Sequence, residues 1–273
     1  MKPSTKPVGV KMGTAAAQGA LWGARAREWA DLQEGAFEPL YRAAFDCAGV
    51  AQGSSVLDVG CGSGLALAVA QELGANVSGL DAADQLVAIA KTRAPGADVR
   101  VGELEELPFA DRSFDVVTGF NSFQYAADRV NALREACRVT REGGSVVAAV
   151  WGEPEKCQMS GYLGGLGPLM PPPPPGAPGP WALSSPGALE ELASRAGLET
   201  VRVGGATGVF RFKDKDTAIR GLLASGPAIR AIQTSGEPAV TDVISNAISP
   251  FQREDGSYEL ANEFRYIVAR PRP

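Results

Sequence analysis

The chain has 273 residues with 26 basic and 31 acidic side chains, which gives a formal net charge of −5. A chain of this length forms one or two domains and buries a core without disulfide or metal staples. The hydrophobic fraction of 45% and the charged fraction of 21% exclude a wholly disordered chain, a fibrous repeat and a membrane bundle. The acidic excess argues against a nucleic-acid-binding protein, because such proteins present a basic surface.

The residue types that are missing restrict the chemistry. The sequence contains no histidine, which excludes an imidazole base, nucleophile or metal ligand. Its four cysteines, Cys47, Cys61, Cys137 and Cys157, show no paired C-x-x-C spacing. We therefore expect no metal site and no disulfide framework, and free thiols suit a reducing compartment.

The N-terminal sequence is mildly basic and then mildly apolar. Lys2, Lys6 and Lys11 precede an apolar stretch over 12–24, which Gln18 interrupts. This stretch is weaker than the apolar region of a signal peptide, and no run approaches the roughly 18 apolar residues of a spanning helix. These patterns predict a cytoplasmic protein with no membrane segment.

The first half of the chain alternates helix and strand patterns. A helix is predicted over 26–48, where apolar residues recur near helical spacing. The strands that follow are predicted over 55–59, 76–80, 98–101, 114–119 and 145–151, with helices over 64–73, 83–93 and 126–139. Strands and helices that alternate at this spacing indicate βαβ crossovers and a parallel, doubly wound sheet.

The second half begins with a proline-rich segment over 152–183, which includes five prolines in a row over 171–175. This composition predicts neither helix nor inner strand, but a stiff connector or a lid over the end of the sheet. The pattern then resumes with helices over 185–196, 214–224 and 239–248 and strands over 198–203, 209–212 and 264–269. We predict a mostly parallel, seven-stranded Rossmann-like α/β sheet with a helical insert between late strands.

These elements suggest four parts of the chain. They are a helical cap over 1–45, a ligand-binding core over 46–151, the proline-rich lid or connector over 152–183, and the C-terminal part of the sheet with its insert over 184–273.

The most informative segment is the glycine-rich stretch that follows the first strand. It reads V-L-D-V-G-C-G-S-G over 56–64, with a G-x-G-x-G spacing in place of the G-x-G-x-x-G of a dinucleotide site. Asp58 precedes the turn, where its charge would repel a pyrophosphate and would suit a ligand with an ammonium group. S-adenosylmethionine (SAM) has such a group, and Asp81, at the end of the second strand, suits the hydroxyl pair of an adenosine ribose.

These blocks resemble the class I SAM-dependent methyltransferases, in particular the small-molecule group that includes the quinone-biosynthesis C-methyltransferases. The resemblance continues through G-E-L-E-E-L-P-F over 102–109, S-F-D-V-V over 113–117, residues 135–139 and the glycine pair 143–144. It covers residues 50–151 firmly and the last strand, E-F-R-Y over 263–266, more loosely.

The resemblance implies a set of cofactor-binding residues. Those of the turn and the strand ends are Asp58, Gly60, Cys61, Gly62, Gly64, Asp81, Ala82 and Asn121. Asp58 would reach the SAM ammonium, Asp81 would hold the ribose, and Asn121 would lie near the methionine. Glu103 and Leu104 stand where the family has an adenine-contacting aspartate and a small residue, and Trp29 would close over the cofactor. Cys61 is interpreted as a small filler of the turn, and a solvated acidic face at Glu103 and a core role for Trp29 stay open.

Methyl transfer from a sulfonium needs alignment and exclusion of water, and it needs a base only when the nucleophile must lose a proton. Tyr125 and Glu153 are the catalytic candidates, and Gln124, Tyr125 and Trp151 are the candidate substrate-binding residues. We expect Trp22, Phe123 and Trp181 near the same pocket. The predicted substrate is a small, apolar or aromatic natural-product or quinone-like molecule, methylated on carbon, oxygen or nitrogen with S-adenosylhomocysteine as the product. We expect a monomer or homodimer without nucleic-acid or membrane partners.

Three alternatives remain at this point. A SAM-binding protein of the same fold could catalyse a cyclisation or another rearrangement without methyl transfer. An NAD(P)-dependent oxidoreductase would use the same ribose-binding acid. The proline run could also make the protein an interaction module that docks into an aromatic groove.

Overall fold

The computed structural model of the protein describes residues 13–172 and 181–272. Its strands form one seven-stranded sheet in the order β3-β2-β1-β4-β5-β7-β6. The strands are β1 (Ser55–Val59), β2 (Asn76–Asp81), β3 (Asp98–Val101), β4 (Phe114–Phe120), β5 (Thr140–Trp151), β6 (Leu198–Phe212) and β7 (Tyr258–Pro271). Strands β1 to β5 are parallel, and β7 runs antiparallel to both β5 and β6. The predicted fold class, a mostly parallel, doubly wound sheet, is confirmed.

Helices cover both faces of this sheet. The α-helices of the described chain are α1 (Ala15–Gly23), α2 (Ala26–Leu32), α3 (Glu38–Ala48), α4 (Leu65–Glu72), α5 (Asp84–Arg93), α6 (Arg129–Val139), α7 (Ser160–Leu166), α8 (Ala188–Arg195), α9 (Lys215–Leu222), α10 (Gly226–Ser235) and α11 (Glu237–Ile248). Adjacent strand residues point to opposite faces, so Val56 packs in the core with α3 to α5, whereas Leu57 packs with α6 and α8. The central strands β1 and β4 are therefore buried on both sides, whereas the edge strand β3 is largely exposed.

The N-terminal helix is divided, contrary to the single helix predicted over 26–48. Helices α2 and α3 are separated by a 3-10 turn over Glu34–Phe37. The helix ends at Gln33, whose side-chain amide donates to the Gly221 carbonyl oxygen at 2.5 Å. This contact joins the break to a distant part of the chain, which local periodicity does not reveal. We call residues 15–48 the N-terminal cap.

The prediction that 152–183 contains no helix is wrong. Helix α7 and two 3-10 turns, Pro154–Lys156 and Gly167–Leu169, precede the proline run. Composition obscured them because the prolines lie at the beginning of each 3-10 turn, where the missing N–H has no helical acceptor to lose. Residues 173–180, which include three of the five prolines of the run over 171–175, lie outside the described residues.

The last two strands are longer than predicted. Residues 198–212 form one continuous strand, which pairs with β7 along its whole length. The glycines between the two predicted strands mark close approaches: a Cβ at Gly204 would lie 2.4 Å from the Tyr266 ring, and one at Gly208 would lie 2.2 Å from the Ala36 carbonyl oxygen.

The insert between β6 and β7 consists of α9, α10 and α11, as predicted except for α10, which the sequence analysis missed. Ser225 caps α10 by accepting the Ala228 N–H, and Pro227 lies in its first turn. Helix α1 packs on α10, and α2 packs on α9. The cap and the insert together form a roof over the carboxyl ends of the parallel strands.

Candidate active site

A cavity of about 140 Å³ lies beneath this roof, at the carboxyl ends of β1, β2 and β4. Its walls come from two sources. Residues of the strand ends form one side, and residues of the cap, α7 and α10 form the other. Ligands of open α/β sheets bind at this edge of the sheet, which makes the cavity the candidate active site.

The glycine turn (residues 60–64) borders the cavity with Gly60 and Gly62. Gly60, Gly62 and Gly64 have φ values of 79°, 54° and 85°, a left-handed region that favours glycine. A Cβ at Gly60 would lie 2.3 Å from the Ser122 Cβ, so Gly60 must lack a side chain. Gly64 does not line the cavity: a Cβ there would lie 2.8 Å from the Ala90 Cα, so it allows close packing on α5.

Asp81 lines the cavity at the end of β2. Its Oδ2 accepts the Gly62 N–H and its Oδ1 accepts the Ala83 N–H, both at 2.9 Å. Burial raises the pKa of this carboxyl, and the backbone donors oppose the shift. Each oxygen keeps a second acceptor site, so the carboxylate can bind a further pair of donors.

Asp58 and Cys61 lie beneath the turn and not on the cavity wall. Asp58 is 2% exposed, and its Oδ1 accepts the Thr118 hydroxyl at 2.7 Å. Burial raises the pKa of Asp58 to about 7, with contributions from the nearby charges of Asp81 and Glu34. Burial also raises the pKa of the Cys61 thiol, so Cys61 is a protonated core residue.

Glu34 is a buried acid that the sequence analysis missed. It is 3% exposed, its Oε1 accepts the Ser63 N–H at 3.2 Å, and its Oε2 contacts the Ser63 hydroxyl and the Arg93 guanidinium. Burial raises its pKa although Ser63 and Arg93 oppose the shift. These partners are 29 and 59 residues away in the chain, so no local spacing points to Glu34.

The residues after β2 and β3 form the part of the wall nearest to α1. Ala82, Gly102, Glu103 and Leu104 line the cavity. The Glu103 Oε2 accepts the Ala15 N–H at 2.8 Å, so its carboxylate lies at the N-terminus of α1. A carboxylate at this position stabilises the helix dipole. Glu103 is thus partnered by the cap and is not simply a solvated acid.

The segment after β4 brings unpartnered polar atoms to the cavity. Asn121 adopts a positive φ of 52°, and its Nδ2 is buried without a hydrogen-bond partner in the described structure. The Ser122 Oγ is likewise buried without a hydrogen-bond partner in the described structure, and the sequence analysis did not identify Ser122 as a cavity residue. Gln124 does not line the cavity; its amide donates to the Asn121 Oδ1 at 3.3 Å. Buried polar atoms without partners are uncommon, and both of these belong to residues that line the cavity.

The two catalytic candidates have different locations. Tyr125 lines the cavity, and burial raises its pKa to about 12, so its hydroxyl stays protonated near neutral pH. Glu153 lies outside the cavity because β5 ends at Trp151 and the chain turns away; its carboxylate pairs with Lys156 at 3.3 Å. Tyr125 can donate a hydrogen bond to a ligand, and Glu153 cannot reach one.

Aromatic rings from the cap cover the cavity. The rings of Trp22 and Trp29 meet edge-on at 4.9 Å, and Trp29 lines the wall beside Gly62. Trp151 also lines the cavity and packs against Phe37 at 5.9 Å. The other two aromatic residues expected there do not line it: Phe123 is buried in the core with α6, and Trp181 contacts Trp151 from outside.

The charged side chains on the described cavity wall are acidic. Asp81 and Glu103 are its charged side chains, and no lysine or arginine of residues 13–172 and 181–272 lines the cavity. Over the same residues, no group of Cys, Asp and Glu side chains forms a metal-binding cluster. Within the described chain, no helix combines the length and the apolar character that crossing a bilayer requires.

Comparison with known proteins agrees with this fold. Residues 57–148 match the family model described as a methyltransferase domain. The matched residues are thus similar to a methyltransferase domain, and they belong to a Rossmann-like sheet. The cap, α7 and the insert lie outside the matched residues.

The relatives extend the likeness towards quinone-modifying enzymes. The chain is 35% identical over 113 residues to the demethylmenaquinone methyltransferase of Renibacterium salmoninarum, a match that covers 41% of this chain and 48% of that protein. The first curated relatives are each matched over less than half of their length.

Two solved structures show the same fold. YjhP from E. coli is 14% identical with a TM-score of 0.60, over 93% of this chain and 100% of that chain. The cyclase SpnF is 20% identical with a TM-score of 0.53, over 85% of this chain and 80% of that chain. At these identities the likeness concerns the fold alone.

Proposed function

We propose that the protein transfers a methyl group from SAM to a small, apolar or aromatic, quinone-like molecule. The observation that carries the proposal is that one cavity joins an acid-lined glycine turn to a chamber with aromatic walls. The names of the quinone-modifying relatives support this substrate class, and carbon, oxygen and nitrogen all remain open as the methylated atom.

The residues at the strand ends fit SAM. Gly60 and Gly62 leave the turn free of side chains, and the buried Asn121 Nδ2 lacks a protein partner. Asp81 would accept the ribose hydroxyls, and Leu104 would lie along the adenine. Bound SAM carries its methyl group on a positively charged sulfur, which suits the acidic surroundings of the turn.

The protein's own groups mainly align the reactants and exclude water. Trp22 and Trp29 close the cavity from the cap side, and the Tyr125 hydroxyl donates a hydrogen bond without acting as a base. Because Glu153 is turned away, we expect the methyl acceptor to lose its proton through its own acidity or to carry none on the reacting atom.

Binding and turnover test the proposal separately. Calorimetry should show that S-adenosylhomocysteine binds, and Asp81→Ala should raise its dissociation constant by about 5–150-fold, which corresponds to about 1–3 kcal/mol of lost charge-assisted hydrogen bonding. Asp98→Ala is the matched control, since Asp98 is exposed at the start of β3 and pairs with Arg100.

An unchanged dissociation constant in Asp81→Ala would show that the ribose site is misplaced. Binding of SAM without release of S-adenosylhomocysteine, over a panel of quinols and phenols, would favour a rearrangement enzyme. Binding of NAD(P) in place of SAM would favour an oxidoreductase.

A further inference from the structure

A pair of hydroxyl groups lies on the side of the cavity that the cap, α7 and α10 form. Tyr162 on α7 is 1% exposed, and Ser225 at the start of α10 is 6% exposed. Both residues line the cavity, and their hydroxyl oxygens are 2.6 Å apart. Neither residue belongs to the region matched by the family model.

The hydrogen bonds of this pair determine what it can offer a ligand. The Tyr162 hydroxyl donates to the Leu222 carbonyl oxygen at 2.7 Å, which uses its one hydrogen. The Ser225 hydroxyl accepts the Ala228 N–H at 3.2 Å, and because the Tyr162 hydrogen is already used, we assign the Ser225 hydroxyl as the donor to the Tyr162 oxygen. Both hydroxyl hydrogens are therefore engaged, whereas the Tyr162 oxygen keeps acceptor capacity.

The opposite arrangement, with Tyr162 donating to Ser225, is less favourable. In that arrangement the Leu222 carbonyl oxygen would lose the 2.7 Å hydrogen bond from the Tyr162 hydroxyl. Its remaining donor would be the Ser225 N–H, at a long distance of 3.5 Å. Losing a good partner in a buried position costs more than a typical hydrogen bond gains. The pair is consequently an acceptor, and it requires a donor from the ligand.

The surroundings restrict the ligand further. Much of the lining of the same cavity is apolar and aromatic, with contributions from Tyr41, Phe120, Trp151, Met159, Leu163 and Pro227. The charged side chains of the described wall are acids, so an anionic ligand would meet repulsion without a compensating cation. Burial and the nearby Tyr125 raise the pKa of Tyr162, so this phenol does not become a base near neutral pH.

We propose that the Tyr162–Ser225 pair is a substrate subsite that accepts a hydrogen bond from a neutral hydroxyl group on an aromatic ring system. The hydroxyl donates to the Tyr162 oxygen while the ring lies among the apolar residues beside it. The subsite discriminates a hydroxyarene from its methyl ether, which has no donor, and from an aryl carboxylate, which is anionic. This inference rests on the proposed function for the identity of the site.

The test uses the whole protein saturated with S-adenosylhomocysteine and three probes of one ring size. These are 2-naphthol, 2-methoxynaphthalene and 2-naphthoate, titrated by calorimetry and by the fluorescence of the cavity tryptophans. We expect 2-naphthol to bind about 3–10-fold more tightly than its methyl ether, the range for one buried hydrogen bond, and 2-naphthoate to bind most weakly. Tyr162→Phe should bring 2-naphthol and the ether to within about twofold.

Tyr266→Phe is the matched control. Its hydroxyl also donates to a backbone carbonyl oxygen, that of Ala43 at 3.2 Å, but Tyr266 does not line the cavity, so the preference for 2-naphthol should persist. Equal affinity for 2-naphthol and the ether in the unmodified protein would overturn the proposal, as would failure of all three probes to bind. A preference that survives in Tyr162→Phe would also overturn it. Failure of S-adenosylhomocysteine itself to bind would instead overturn the proposed function.

Discussion

The two sides of the cavity differ in how the chain builds them. The cofactor side comes from residues 60–125, a continuous part of the sequence in which each strand end is followed by its functional residue. The substrate side comes from the cap, the end of β5, α7 and α10, which are up to about two hundred residues apart in the chain. The first side matches a family model, and most of the second lies outside it.

This difference has a physical origin. The glycine turn needs left-handed backbone and close contact with Ser122, and glycine alone meets both demands. Apart from the Tyr162–Ser225 pair, the aromatic side needs only bulk and burial, which Phe37 provides in the same way as any core residue does. A backbone requirement restricts a position to glycine and is therefore visible in the sequence, whereas a packing requirement can be met by many residue types.

The largest expected effect tests this backbone requirement. Gly60→Ala should lower the free energy of unfolding by about 2–4 kcal/mol, because the new Cβ combines a disfavoured φ with a clash 2.3 Å from the Ser122 Cβ. Gly96→Ala is the matched control, since Gly96 has a φ of 83° and open space around its Cα. It should cost only about 1 kcal/mol, the conformational part of the penalty.

Chemical denaturation measures both variants, and calorimetry with S-adenosylhomocysteine should show binding lost in Gly60→Ala and kept in Gly96→Ala. Equal destabilisation of the two would mean that the close approach of Ser122 adds nothing to the requirement for glycine.

Much of the fold could be predicted from sequence because its determinants are local. Four of the five parallel strands, all except β3, contain apolar runs, and the helices between the strands carry an apolar stripe. The break at Gln33 and the length of β6 could not be predicted, because each depends on contacts with remote residues such as Gly221 and Tyr266.

The candidate site divides in the same way. Asp81 is the last residue of β2 and Asn121 comes directly after β4, so the strand pattern predicts that both lie at the cavity. Glu34 and Tyr162 have no such signal, since their partners are tens of residues away, and Ser225 has only that of a helix cap. Glu153 was placed by the same strand-end rule, which does not foresee that the chain turns outward after β5.

A second, smaller effect is the pH dependence of stability that the buried Asp58 causes. The folded-state pKa of Asp58, about 7, lies above its ordinary value of 3.8, so the folded protein binds this proton more tightly than the unfolded chain does. Stability from this group is therefore present at low pH and is lost as the pH rises from about 4 to about 7. Denaturation of Asp58→Asn and the unmodified protein, from pH 5 to pH 8, should show the variant gaining relative stability as the pH rises.

Ligand binding should have the opposite pH dependence. A cationic ligand favours the charged form of Asp58, so the affinity for SAM should rise about tenfold between pH 6 and pH 8. The buried carboxyls of Asp81 and Glu34, whose pKa values are also raised, add to this trend. Asp58→Asn should flatten the profile. A profile that stays equally steep in the variant would assign the titration to those other two acids.

The smallest effect tests whether the cap and the cofactor side depend on each other. Glu103→Ala removes the acceptor of the Ala15 N–H and the charge at the N-terminus of α1, which should cost about 1 kcal/mol. Hydrogen exchange of the α1 amides should rise by about fivefold, while exchange in β1 stays unchanged. Glu106→Ala, three residues further along the same segment and exposed, is the matched control and should leave α1 protected. If α1 exchanges equally in both variants, the Glu103 contact adds nothing to the stability of α1, and its packing on α5 and α10 holds the helix in place.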